Sequence, residues 1–224
     1  MNQNLSESTN AIVPLPKLNQ SSKQLAIQRG SELSPSYVPH LGFDEILRLI
    51  DAAESLSQRP GIRERNCLLV QALFDSCLRV SELLAVTPKD IIHSGNGWSL
   101  RVFTGKRRTW DTAAISPSLA AQLQAYAYRH NIASDHRIFT INASRVFQIV
   151  KAAFANTNLV KPKGVGTVHV LRHSGALERL RRTRNPQSIQ EQLRHSSFKM
   201  TMRYFKTLSH EESMAIQQEI DYQW

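Results

Sequence analysis

Along this chain the apolar residues keep no single rhythm, and the changes of rhythm mark the elements. Through about residue 38 there is none. Ser, Asn, Gln and Pro predominate, and the segment 1–38 reads as a flexible N-terminal tail or arm. At Leu41 the pattern changes. Phe43, Ile46, Leu47 and Ile50 stand at i, i+3, i+4 and i+7, which is one face of a helix. After a break around Pro60-Gly61, a second helix is predicted over about 63–78, with Leu68, Leu69, Ala72 and Leu73 apolar. A third, short helix starts near Val80 and stops at Thr87-Pro88, because the residue before a proline is pushed out of the helical region.

The period then becomes two. Trp98, Leu100 and Val102 alternate with Ser99, Arg101 and Phe103, and Trp110 to Ile115 returns after the turn Thr104–Thr109. This pattern predicts a hairpin with a basic tip. Ser116-Pro117 opens another helix, with proline just inside its start. Ile138 and Phe139 form an apolar hook, and a helix is predicted over 143–155. Beyond the loop 158–166 the remainder reads as helices at about 168–182, 186–193, 199–206 and 209–220. The expected fold class is mostly α with a small antiparallel β-sheet or hairpin. One domain over 39–224 suits a chain of 224 residues.

Composition sharpens this picture in three places. No apolar run approaches the roughly 18 residues of a membrane span, and the first residues lack the basic-then-apolar pattern of a secretory signal. Cys67 and Cys77 lie among apolar residues of one helical stretch and read as core packing in a reducing, cytoplasmic compartment. The formal net charge of +10 points to acidic substrates or nucleic acid, because Lys and Arg displace the counterions of phosphates.

Four features could carry chemistry, and each has a structural alternative. Arg79, where one apolar helix gives way to the next, could simply pair with Glu82 at helical spacing. Lys106, beside Gly105 in the hairpin tip, could be a solvated turn residue. His169 and Arg172, at i and i+3, share a helix face and can aim an imidazole and a planar guanidinium at one phosphate. His173 stands about a third of a turn from Arg172. His195 precedes Tyr204 by nine residues, and a lone tyrosine there is ordinarily a core residue. Together the set suits a phosphodiester. Two arginines can bind the oxygens on which charge builds during attack on phosphorus. A tyrosine phenol, with a pKa near 10, becomes a nucleophile when its proton is accepted. A lysine or histidine can protonate the leaving oxygen. No Asp/Glu cluster suggests a metal site, and no cofactor is expected.

These blocks, in this order, resemble the tyrosine recombinases, the phage integrase family. LFDSCLRVSELLAVTPKDI is similar to the block carrying the first arginine and its accompanying acid, Arg79 and Glu82. VFTGKRRTWDTAAIS resembles the hairpin that carries the lysine, Lys106. HVLRHSGA resembles the block of His169 and Arg172, and QLRHSSFKMTMRYF that of His195 and Tyr204. The resemblance covers about residues 40 to 210. It implies the tyrosine-recombinase catalytic-domain fold and site-specific breakage and rejoining of double-stranded DNA through a 3′-phosphotyrosine. Arg79, Lys106, His169, Arg172, His195 and Tyr204 would be catalytic, and Arg107 and Arg108 would contact the DNA backbone. It further implies four protomers on two recombination sites, the C-terminal helix 209–224 docking on a neighbouring protomer, an accessory DNA-bending protein as a candidate partner, and nucleoid association on DNA. Relaxation in the manner of a type IB topoisomerase, and a non-catalytic DNA-binding accessory protein of the same fold, are the alternatives.

Three departures accompany the resemblance. Arg194 stands where the family usually has glycine before the histidine. Lys106 is followed by Arg107 and Arg108 rather than by a second, separated lysine. Only about 38 residues precede the catalytic region, as in compact members that invert or resolve short DNA segments, so the means of clamping the duplex is open.

Overall fold

The structure, a computed structural model, describes residues 37–104 and 109–218. Eight α-helices, one short 3-10 helix (Pro88–Asp90) and three strands occur among them. Helix α1 is Phe43–Glu54, α2 Pro60–Asp75, α3 Val80–Leu83, α4 Pro117–Arg129, α5 Ala143–Ala155, α6 His169–Thr183, α7 Pro186–Leu193 and α8 Phe198–Gln218. Strands β1 (Ile91–Ser94), β2 (Gly97–Thr104) and β3 (Thr109–Ala114) form one antiparallel sheet in the order β1-β2-β3. The expected mostly helical fold with a small antiparallel sheet is the one observed. None of the described helices is long and apolar enough to cross a membrane.

Local chemistry explains the helix starts. Proline occupies the first turn of α2, α4 and α7, where its missing N–H is no loss. Ser116, Asn142 and Asn185 cap α4, α5 and α7, accepting from the amides of Leu119, Arg145 and Gln187 at 3.1, 2.8 and 3.0 Å. Glu45 reaches back to the amide of Gly42 at 2.8 Å and does the same for α1.

The buried face of α1 differs from the expected one. Ile46, Leu49, Ile50 and Ala53 face the core, while Phe43 and Leu47 are more than two-fifths exposed. Both sets have helical spacing and share Ile46 and Ile50. The face that packs against both α2 and α5 is the one buried. Helix α2 begins at Pro60, ahead of the expected 63, and ends at Asp75, short of 78. Cys77 lies beyond it with φ 53°, in the left-handed region, so it is not a helical residue. The expected hairpin gains a third strand, Ile91 pairing with Leu100 and Leu100 with Ala113. Leu100 and Val102 are buried and Phe103 is exposed, which separates the two faces of β2. The tip, 105–108, and with it Lys106, Arg107 and Arg108, lies outside the described residues, as does the chain from 219 on. The two C-terminal helices expected at 199–206 and 209–220 are one continuous helix, α8.

The core has two parts. The larger joins α1, α2, α4, α5 and the sheet, with the hook Ile138-Phe139 fully inside it. The smaller lies among α6, α7 and α8 and includes Leu177, Leu180, Ile189, Leu193, Tyr204 and Leu208. Residues 37–41 tie the two. Val38 is buried in the smaller core and its amide donates to Thr207 at 2.9 Å, while the Leu41 amide donates to Ser174 at 2.8 Å. Gly175 lets α6 and the end of α2 meet, since a Cβ there would sit 1.9 Å from the Phe74 carbonyl oxygen.

Candidate active site

The turn that leaves α2 sets the first wall. Because Cys77 adopts the left-handed conformation, the chain reverses sharply, and Arg79 becomes the N-cap of α3. Its amide and its guanidinium both donate to Glu82, each at 2.8 Å. The ion pair expected as a structural alternative is therefore present, yet the Arg79 side chain remains 47% exposed. Glu82 is buried. Burial pushes its carboxyl up, but the Arg79 amide and the guanidiniums of Arg194 and Arg79 outweigh this and hold it below the usual carboxylate range.

Helix α6 supplies the second wall. Arg172 is only 3% exposed. One of its terminal nitrogens donates to the Cys77 carbonyl and the other to the Leu193 carbonyl, the latter at 2.8 Å. It approaches Glu82 no closer than 4.0 Å. Burial, Arg79 and Arg194 lower its pKa to about 10, which still leaves it charged at neutral pH. Three guanidiniums thus surround one carboxylate, and the cluster is net positive. Such a cluster suits an anion with several oxygens.

The third wall is the α7–α8 corner. Asn185 starts α7, and Gln192 near its end ties it to the sheet and to α2, donating to Ala114 and Ser76 carbonyls at 2.9 and 2.8 Å. Helix α7 stops at Arg194, in the left-handed conformation (φ 53°, ψ 40°), and the chain turns so that His195 faces inward. The His195 Nδ1 pairs with Thr201 Oγ1 at 3.0 Å. From α8, Tyr204 points its hydroxyl into the same space.

The Tyr204 oxygen lies 2.8 Å from His173 Nδ1, and the two rings stack with centroids 5.6 Å apart. The His195 ring lies 6.1 Å from that of Tyr204. Tyr204 is 4% exposed, and burial pushes its phenol up to about 12 although Arg172 draws it down. Burial, with His169 and Arg172 beside it, brings His173 down to about 3; burial and Arg172 bring His195 down to about 4. Both imidazoles are neutral at pH 7, and in the His173 tautomer that leaves Nδ1 unprotonated the phenol donates to it.

The structure thus gathers Arg79, Arg172, His195 and Tyr204. His169 begins α6, is more exposed, and meets His173 edge-on at 4.8 Å. Burial and the neighbouring Arg172 and Arg79 lower its pKa too. Two members were not read from the sequence. His173 was placed a third of a turn from Arg172, but its relation to His169 is i, i+4, the same helix face, and that spacing was the available signal. Arg194 registered as a departure from glycine, and nothing in its neighbours along the chain announced a partner 112 positions away.

A helical domain with one small sheet, and with arginines, histidines and a tyrosine converging from helices far apart in sequence, defines the class of molecule. The comparisons agree. The phage integrase family profile matches residues 39–211, and the chain belongs to that family. The tyrosine recombinase XerC of Rhizobium meliloti is 32% identical over 174 residues, covering 71% of this chain and 51% of the relative. The chain therefore spans about half the length of the curated relatives it matches. The solved catalytic domain of bacteriophage HP1 integrase is similar with a TM-score of 0.58 at 23% identity, over 81% of this chain and 95% of that domain. The XerH site-specific recombinase bound to its difH substrate is similar with a TM-score of 0.64 at 17% identity, over 79% of this chain and 53% of that one. These two likenesses establish the shared fold.

Proposed function

We propose that this chain breaks and rejoins double-stranded DNA at specific sites, as a tyrosine recombinase, with Tyr204 as the nucleophile. One observation carries the reading. A buried phenol is hydrogen-bonded to a neutral imidazole near a cluster in which three guanidiniums surround a single carboxylate. The scissile phosphate docks against that cluster, its non-bridging oxygens bound by Arg79, Arg172 and His195, which stabilise the charge that grows on them. The Tyr204 oxygen forms its bond to phosphorus as the bond to the 5′ oxygen breaks. The phenolic proton leaves through His173, with His169 next to it, and Lys106 protonates the departing 5′ oxygen. The product is a 3′-phosphotyrosine and a free 5′-hydroxyl. The ester keeps the bond's energy, so attack by a new 5′-hydroxyl rejoins the strand without ATP.

In the resting geometry the phenol is protonated, buried and inert. Loss of its proton to His173 makes it a nucleophile once DNA is bound. The relatives support the substrate class, since the XerH structure holds its difH substrate. Arg107 and Arg108 contact the backbone from the hairpin. Four protomers assemble on two sites, each docking its segment 209–224 on a neighbour. The N-terminal arm ahead of Tyr37 or an accessory DNA-bending protein contributes to the grip on the duplex. The protein works in the cytoplasm, nucleoid-associated when bound.

The test uses a nicked suicide duplex carrying a site selected from random sequence. The wild-type chain forms a covalent protein–DNA adduct, and Tyr204→Phe forms none. An undiminished adduct with phenylalanine at that position overturns the assignment.

A further inference from the structure

The site holds a charged residue at a position whose backbone favours glycine. Arg194 caps α7 with φ 53°, a region that costs every residue with a Cβ. Its side chain is 2% exposed, among the most buried charged groups described. Burying a guanidinium on a strained backbone is doubly unfavourable. A glycine would relieve both costs, so the residue's partners must repay them. Those partners belong to the site. One terminal nitrogen of Arg194 donates to Glu82 Oε2 at 2.7 Å and the other to its neighbour's carbonyl, Gln192 O, at 2.9 Å. Glu82 Oε2 also accepts the Arg79 amide, and Oε1 accepts the Arg79 guanidinium. The Nε of Arg194 is buried with no hydrogen-bond partner among the described residues.

Resting on the recombinase reading, we propose that Arg194 is a positioning residue for cleavage: through Glu82 it fixes Arg79, and its own charge raises the positive potential at the scissile phosphate. The charge balance gives the reason. Glu82 alone would cancel one of the two phosphate-binding arginines. With Arg194 bonded to that carboxylate, the cluster keeps two net positive charges, matching the dianionic, five-coordinate phosphorus that attack creates. Arg172, 4.0 Å from Glu82 and held by two carbonyls, adds its charge to the cluster without being neutralised by that carboxylate.

The test is Arg194→Gly, which frees the backbone of strain while removing the charge. Single-turnover cleavage is measured on the suicide duplex and on the same duplex with a neutral methylphosphonate at the scissile position. The expected result is cleavage slowed at least tenfold on the phosphate, DNA affinity within threefold of wild type, and a clearly smaller defect on the methylphosphonate, which needs less countercharge. Cleavage of the phosphate at the wild-type rate overturns the proposal. So does an equal defect on both linkages, which marks a structural role only. If Arg194→Gly loses its cooperative melt, Arg194→Met, which keeps the buried stem, takes its place in the same comparison. The wild-type chain on the same duplex separates the two ideas. Failure of its own adduct sinks the recombinase reading, whereas a wild-type adduct with unimpaired variants sinks only this one.

Discussion

Single residues in this site are held in charge states that folding must maintain. His173 and His195, depressed from 6.5 to about 3 and about 4, bind fewer protons folded than unfolded. Their contribution to stability is therefore complete above pH 6.5 and is lost as pH falls toward the folded values. The denaturant midpoint should drop steadily from pH 7 to pH 5. His173→Phe, which keeps a ring against Tyr204, should make that drop shallower, measured by urea melts across the range. A midpoint independent of pH would contradict the burial of these imidazoles. Neutral histidines also matter to the chemistry: only an unprotonated Nδ1 can accept from the phenol. The sequence showed Arg79, Arg172, His195 and Tyr204 as members of recognisable blocks. It did not show His173 as the phenol's partner, because that bond joins residues 31 positions apart on different helices.

Elements set the spacing of these groups, and Gly175 is where two of them touch. It lies within α6 one turn beyond Leu171, and a methyl there would collide with the backbone of Phe74. Gly175→Ala gains about 1 kcal/mol in helix propensity. The overlap is with backbone, which cannot rotate away, and overpacking of this kind costs about 1–3 kcal/mol before any displacement of the site. The expected outcome is a lower melting temperature together with slower adduct formation, because α6 carries Arg172 and the end of α2 leads to Arg79. A variant more stable than wild type would refute the close approach. At this scale the sequence read most helices correctly in kind but missed the ends of α2 and the continuity of α8. Ser209-His210 resembles a break in pattern, yet α8 runs through it, packed along α6 and α7. Ser209 and His210 are themselves exposed, and the ion pairs of Glu211 with Arg181 and of Glu212 with Arg184 tie that stretch to the body of the domain.

At the scale of the whole molecule, a net charge of +10 and a cluster of three arginines about one carboxylate favour binding dominated by the DNA backbone. Affinity for duplex DNA should then fall by about 10³-fold or more between 50 and 200 mM salt, as expected for six or more phosphate contacts. Fluorescence anisotropy over a salt series checks this, and a shallow slope would count against an extensive backbone interface. What the sequence determined by itself was the family, the mostly helical class and the chemical inventory. Residue types, order and spacing persist however the chain folds. What only the tertiary structure decided was which groups meet. Glu82 became the hub of three arginines, His173 the partner of Tyr204, and Arg194 a buried member of the site. Apart from the local Arg79–Glu82 pair, each of those contacts joins helices through turns in the left-handed conformation or across a packed core. Their geometry arises from the sum of packing forces over the domain, and no local stretch of sequence encodes it.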